Sequence, residues 1–586
     1  MTLDSAQNQR GVAPESGPMT QIMGRRWMVA AGHPLAAQAA ARILAAGGNA
    51  IDAGVAAGFT LGVVHPDMVS FAGVAPILVH LARTRETFEI SGVGPYPKRA
   101  TADYYRSHCG GEIPQGLLRT VVPAAPDAWC AALARWGTLS FARAVAPALE
   151  CAARGFPLST FSASMIRANV DRYRRFPTSA AVYLRDGEPP APGDVIVQAD
   201  LAATIEMMME GEKKSRRRGR AGAVRAARDV FYKGEIAQRI ARFHAQEGGL
   251  LTADDLAEFE VDIGPPLRTS FREYEVAACG YWCQGPALLQ MLNLIEPYDW
   301  PSIGHNTPRG LHLLVEAIKL AFADREAYYG DPKHVKVPAE ALLSKLYADA
   351  RRTLIREDRA WPAMPAAGDP YEMAAVRNGA ASTSPVVGQD PGFLDTSYVA
   401  VVDAEGNGFS ATPSDPNVDS PMIPGVGCVV SPRGSQGWLV PGHPSEVAPG
   451  KRPRLTPAPA MAFRNGRLFM PFGTPGGDVQ QQAMLQVFLN ITAFGMSPQQ
   501  AVEAPRVATR SFPDSFWPHS DFPGRLDCEA SIPAGTREAL ARLGHGVEER
   551  PDRDWRSGAV CAVVVGDDGT LMGAADPRRG AQAIGW

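Results

Sequence analysis

No long uninterrupted apolar run occurs in this 586-residue sequence, and its start, MTLDSAQNQRGVAPESGPMTQ, lacks a basic segment followed by an apolar one. A bilayer-spanning helix needs about 20 consecutive apolar residues. Neither a membrane span nor a secretory leader is therefore expected, and the expected location is cytoplasmic. The eight cysteines (109, 130, 151, 279, 283, 428, 528 and 561) include no CxxC pair and no His/Cys cluster at zinc-finger spacing. They read as buried thiols rather than as a disulfide framework or a structural zinc site. Charge of one sign is also missing: 58 Lys and Arg balance 61 Asp and Glu to a formal −3, so the surface as a whole does not seek nucleic acid or an acidic membrane. One basic run, EKKSRRRGRAGAVRAARD over 212–229, reads as an exposed helix flank, because it lacks interleaved aromatic residues. HExxH, an EF-hand loop, a P-loop and a dinucleotide fingerprint are all missing, so no metal and no cofactor is expected.

What is present is a large soluble chain, 45% hydrophobic and 20% charged, with 58 glycines and 50 prolines punctuating ordered loops. HPLAAQAAARILAAGGNAIDAGVAAGFTLGVVHP predicts two alanine-rich helices joined at Gly47-Gly48, with Pro66 stopping the second. Strands are expected at VAPILVHL, ETFEISGV, GCVVS, LFMPF and GAVCAVVVGDDGTLMGAAD. Helices are expected over Leu139–Gly155, GLHLLVEAIKLAFADREAYYG, QQQAMLQVFLNITAF and IPAGTREALARLG. Residues 353–391 form a long polar connector. Directly after it, TSYVAVVDAEGNGFSAT alternates around an E-G-N-G turn and predicts a hairpin. Strands and helices thus alternate on both sides of Thr396, which suggests sheets covered by helices.

A threonine hydroxyl is a poor nucleophile until a base takes its proton, and a free α-amine on the same residue can be that base. Cleavage of the Asp395–Thr396 bond would give Thr396 both groups at the start of a strand. In its ordered motifs the chain resembles the gamma-glutamyltransferase family of self-processing N-terminal-nucleophile hydrolases. The motifs are AGHPLAAQAAARILAAGGNAIDAGVAAGFTLGVVHP, LTADDLAEFEV, HLLVEAIKLAFADREAYYGDP, DTSYVAVVDAEGNG, SPRG, GKRPRLTPAPAM, FGTPGGDVQ and GAADPR. The resemblance implies a four-layer αββα sandwich of the α+β class, made as one precursor. It implies a cut between Asp395 and Thr396 into segments 1–395 and 396–586, which stay together as one unit and could pair with a second such unit. It further implies Thr396 as nucleophile and amine base, Ser414 as the hydroxyl that orients the amine, and Gly476 and Gly477 as oxyanion-hole glycines.

The departures from the family pattern bear on the substrate. Ser91 stands where an arginine grips the substrate carboxylate in gamma-glutamyl enzymes, and a hydroxyl cannot replace a bidentate guanidinium. Pro416 and Gln436 fall where the family has an asparagine and an amine-binding acid. Leu455 and Thr456 replace its paired serines. Ser91, Thr412, Arg433, Gln436, Thr456, Asp478 and Gln480 are the substrate-binding candidates. Lys451, Arg452, Arg454, Lys98 and Arg99 are further cations that could meet an anion. The expected function is hydrolysis of a small carboxylate-bearing amide or acyl-amide, oxamate-like or acylase-type. The alternatives are gamma-glutamyl transfer or glutathione hydrolysis, and a non-catalytic binding relative. The expected partners are a small-molecule amide and the two segments with each other, with no nucleic acid and no membrane.

Overall fold

Two seven-stranded sheets stack face to face between helical layers in the computed structural model, which describes residues 19–377, 386–387 and 396–586. The first sheet runs Gln582–Gly585, Met28–Ala31, Val399–Val402, Gly408–Ala411, Ile77–Leu81, Glu86–Ile90 and Ile263–Gly264. The second runs Ile22–Gly24, Leu571–Ala575, Cys561–Val565, Arg467–Gly473, Ala460–Arg464, Tyr274–Ala278 and Leu267–Phe271. Neighbouring strands in both sheets are antiparallel. This is the αββα architecture of the N-terminal-nucleophile hydrolases.

The layers follow from strand periodicity, in which alternate side chains leave opposite faces. Ala400 and Val402 point between the sheets with Met28, Ala30, Leu78, Met461 and Val563. Val399 and Val401 point the other way, into a helical core with Val29, Val79 and Phe409. The second sheet likewise buries Val276, Ala462, Phe472 and Val564 against the helices Gly285–Ile295, Pro308–Tyr328 and Gln480–Thr492.

The helix Ala50–Val64 is buried at all its positions, which alanine and glycine permit by letting neighbours approach closely. Asn49 caps it in a reciprocal box with Asp52. Its first N–H, on Ala50, donates to Asp403 Oδ2 at 2.8 Å, and Asp403 Oδ1 accepts from Asn407 N at 2.9 Å. The E-G-N-G turn, with Gly406 at φ 81°, is thereby pinned to a helix N-terminus, which fixes the hairpin carrying Thr396.

One expected strand does not form. Residues 427–431 make only an isolated bridge, Ala72 to Val430, because Gly425 and Gly427 adopt positive φ and the Ser70 hydroxyl takes the Val429 carbonyl at 2.6 Å. The basic run lies mostly on the helices Ala199–Lys214 and Gly219–Lys233, with Arg216, Arg217 and Arg218 exposed between them. All eight cysteines are free thiols, six of them buried. Among the described residues no helix is long and apolar enough to cross a membrane.

Candidate active site

Thr396 is buried just ahead of the strand Val399–Val402. Its Oγ1 lies 2.8 Å from Ser414 Oγ, and the two residues form a one-residue antiparallel bridge. Ser414 also bridges Val74, its N–H donating to the Val74 carbonyl at 3.0 Å. Gly73 must lack a side chain for this approach, since a Cβ there would lie 2.3 Å from the Ser414 carbonyl. The next side chain, Ser397, has its Oγ 3.3 Å from His65 Nδ1. Burial, with the charge of Arg579, pushes His65 down to about 3, so it is neutral at pH 7.

A fully buried arginine lies behind this pair. Arg433, on the turn Arg433–Gln436, donates through Nε to Asp415, through one terminal nitrogen to Ser414 Oγ, and through the other to Thr456 Oγ1 at 3.1 Å. Asp415 also accepts from Ser431 Oγ at 2.6 Å, and the Arg433 guanidinium lies 5.3 Å from the centre of the Phe516 ring. Gln436 Nε2 donates to Thr456 Oγ1 at 3.0 Å, while its Oε1 is buried with no hydrogen-bond partner among the described residues. The buried Thr412 Oγ1 likewise has none.

The glycine pair joins the cluster through its carbonyl side. Gln284 Nε2 donates at 2.9 Å both to the Thr456 carbonyl and to the Gly477 carbonyl, and Arg325 donates to Gln284 Oε1 at 2.9 Å. Gly476 and Gly477 adopt φ of 126° and 55°, a region that disfavours residues with a Cβ.

Thr396, Ser414, Arg433, Gln436, Thr456 and Gly477 therefore form one connected set, whereas other candidates are engaged elsewhere. Asp478 accepts from Arg325 and from Ser515 N and Oγ at 2.8 and 2.7 Å, so it anchors the glycine turn rather than capping a helix. Gln480 Oε1 accepts from Ala458 N at 3.3 Å, while its Nε2 is buried with no hydrogen-bond partner among the described residues. The Ser91 hydroxyl accepts from Asp262 N at 3.0 Å and lines a cleft of about 230 Å³ that no residue of the Thr396 set borders. Arg452 pairs with Asp262 and Asp331, Arg454 with Glu326, and Lys98 with Glu258. Asp395 lies outside the described residues.

Sequence reasoning missed Asp415, Gln284, Arg325 and Phe516. Arg325 was signalled: a guanidinium on the packed helix of HLLVEAIKLAFADRE must find buried partners. Among the described residues, His312, Glu316 and His545 bring ligand-type atoms within 4.8 Å of one another. There, His312 Nε2 is 2.7 Å from the Arg356 carbonyl, and the Lys319 ammonium donates to Glu316 at 2.8 Å. A dication would have to sit beside that buried ammonium, so the group fits a polar latch better than a metal centre.

Residues 36–586 match the family described as Gamma-glutamyltranspeptidase. The chain belongs to that family. It is 35% identical over 569 residues to the Acylase ACY 1 proenzyme of Pseudomonas sp. (strain SE83), a match covering 94% of this chain and 92% of that one. The solved structure of LmbA2991HD superposes with a TM-score of 0.90 at 35% identity, covering 97% of this chain and 100% of that one. The cephalosporin acylase from Bacillus halodurans superposes with a TM-score of 0.84 at 28% identity, covering 98% of each chain. As a member of the gamma-glutamyltranspeptidase family the protein is a hydrolase of the self-processing N-terminal-nucleophile class, related to acylases.

Proposed function

We propose that the chain cuts itself between Asp395 and Thr396 and then hydrolyses a small carboxylate-bearing amide or acyl-amide through a threonyl ester. The observation that carries this reading is the buried Thr396 hydroxyl, 2.8 Å from Ser414 at the head of a sheet strand. In the processing step, Oγ1 attacks the Asp395 carbonyl carbon and the Thr396 nitrogen leaves with a proton. Water then hydrolyses the resulting ester. The products are segments 1–395 and 396–586, which share both sheets and so remain one unit.

In turnover, the freed amine takes the Thr396 hydroxyl proton as Oγ1 attacks the substrate carbonyl. N–H groups of the Gly476-Gly477 turn receive the oxyanion, and such donors are worth about 3–4 kcal/mol each. The substrate nitrogen leaves protonated, and water attacks the ester to return Thr396. Thr412 Oγ1 and Gln436 Oε1, buried without partners among the described residues, are assigned to the substrate's polar groups together with Thr456. A substrate other than a gamma-glutamyl compound is favoured because Ser91, aligned with the carboxylate-gripping arginine, has its hydroxyl on a backbone N–H.

Intact-mass analysis tests the first step: wild type should yield a fragment beginning TSYVAVV, and Thr396→Ala should stay whole. A T396A chain cut at the same bond would overturn the reading. For the second step, the processed protein is assayed on oxamate, acyl-amides and a gamma-glutamyl anilide with a dipeptide acceptor. Robust transfer to the dipeptide would reassign the substrate.

A further inference from the structure

We infer that Arg433 is a positioning residue that sets the direction of the hydrogen bond between Ser414 and Thr396, rather than a substrate-binding cation. The inference rests on the proposed role of Thr396. A guanidinium carries five N–H donors and no acceptor. At the Ser414 hydroxyl Arg433 can therefore only donate, which occupies a lone pair on Oγ. The Ser414 proton is then directed away from Arg433, and Thr396 Oγ1 lies within its reach at 2.8 Å. With one lone pair of Ser414 Oγ taken up by Arg433, the arrangement in which Ser414 donates and Thr396 accepts is the favoured one.

Polarity of this sense suits the chemistry. A hydrogen bond donated to Oγ1 strengthens as negative charge builds on that oxygen during attack, and a cation one hydroxyl away strengthens it further. It also leaves the task of removing the Thr396 proton to another group, which the freed amine can perform. Arg433 is held rigidly for this purpose. It is fully buried, ion-paired to Asp415, bonded to Thr456 and set against Phe516. Asp415 adopts φ 91°, an unusual backbone for a residue with a side chain, at the position that directly follows Ser414. With every arm of the guanidinium engaged inside the protein, little of it is left for a substrate anion.

The test follows the self-cleavage rate of freshly translated full-length chain by intact mass, with incubations extended to days. Arg433→Lys keeps a positive charge beside Asp415, but its single ammonium cannot hold Asp415, Ser414 and Thr456 together. R433K should slow cleavage about tenfold or more with an unchanged melting midpoint, and Arg433→Met should slow it further. In a Ser414→Ala background the added cost of R433K should shrink to about twofold or less, because the residue it acts through is gone. Wild-type cleavage by R433K overturns the inference, and so does an equal fold-loss with and without Ser414. Complete arrest of S414A supports it only if R433K is slowed while melting unchanged, and otherwise counts against it. If R433M fails to fold, R433K decides. The Thr396→Ala chain is run alongside. Cleavage of T396A would fell the proposed function itself, whereas an intact T396A with unslowed R433K would fell only the role of Arg433.

Discussion

The Thr396 set and the two lysines of the Ser91 cleft place their charges in opposite surroundings. Arg433 is wholly buried, and its charge is answered by Asp415, Ser414, Thr456 and the Phe516 face. Lys98 and Lys333, which line the cleft, are ion-paired to Glu258 and Asp262 with more than half of each lysine side chain in water. Burial makes an ion pair costly to break, because the partner left behind has no water to turn to. Exposure makes one nearly free to break. Removing the buried Arg433 charge is therefore expected to be severe, whereas the exposed lysine pairs beside Ser91 tolerate change.

Four measurements would break or sharpen that contrast. The largest effect is expected for Arg433→Met in an uncleavable Thr396→Ala chain. It strands Asp415 in the interior and should cost about 3–5 kcal/mol in denaturant unfolding. A cost near zero would place Asp415 in contact with solvent and dissolve the distinction.

Next comes Glu89, two residues before Ser91. Burial, outweighing hydrogen bonds from Trp282 Nε1 and Gly280 N, raises its carboxyl to about 7 from an ordinary 4.5. The folded state therefore holds its proton longer than the unfolded one. The stability this gives is full below about pH 4.5 and is lost as the pH rises towards 7, with an amplitude of about 1–3 kcal/mol. Glu89→Gln should flatten the stability profile across that window, and an unaltered slope would remove Glu89 as its source. Third, Ser91→Ala deletes one hydrogen bond, to Asp262 N, and should cost about 1 kcal/mol in the same assay. A cost of several kcal/mol would mean that the cleft wall is as tightly built as the Thr396 set. Last, Lys98→Ala should leave the unfolding midpoint unchanged within error at low and high salt, because its pair with Glu258 is exposed on both sides.

The hairpin around Thr396 was legible because its alternation, its glycine turn and its place after a polar connector are local properties. The alanine-rich helices and the long helix of HLLVEAIKLAFADRE were legible for the same reason. GCVVS misled, since a β-branched run says nothing of the positive-φ glycines and the Ser70 hydroxyl that divert its backbone groups. Within the candidate site, Thr396, Ser414, Gly476 and Gly477 could be singled out from motifs, and the fold brings the first two within 2.8 Å of each other. The commitments of Asp478 and Arg433 could not, because a side chain's hydrogen-bond partner can lie far along the chain, as Arg325 lies 153 residues from Asp478.

By itself the sequence determined the period of each strand and helix, the balance of charge, and the order of motifs that marks the family. These depend on neighbours in the chain, where sterics and periodicity act. Only the tertiary structure decided which polar atoms are left to meet a substrate and which are used up in holding the protein together. Hydrogen bonds and ion pairs are counted in space, and the same arginine in SPRG reads as a ligand-binding cation until Asp415, Ser414 and Thr456 are found around it.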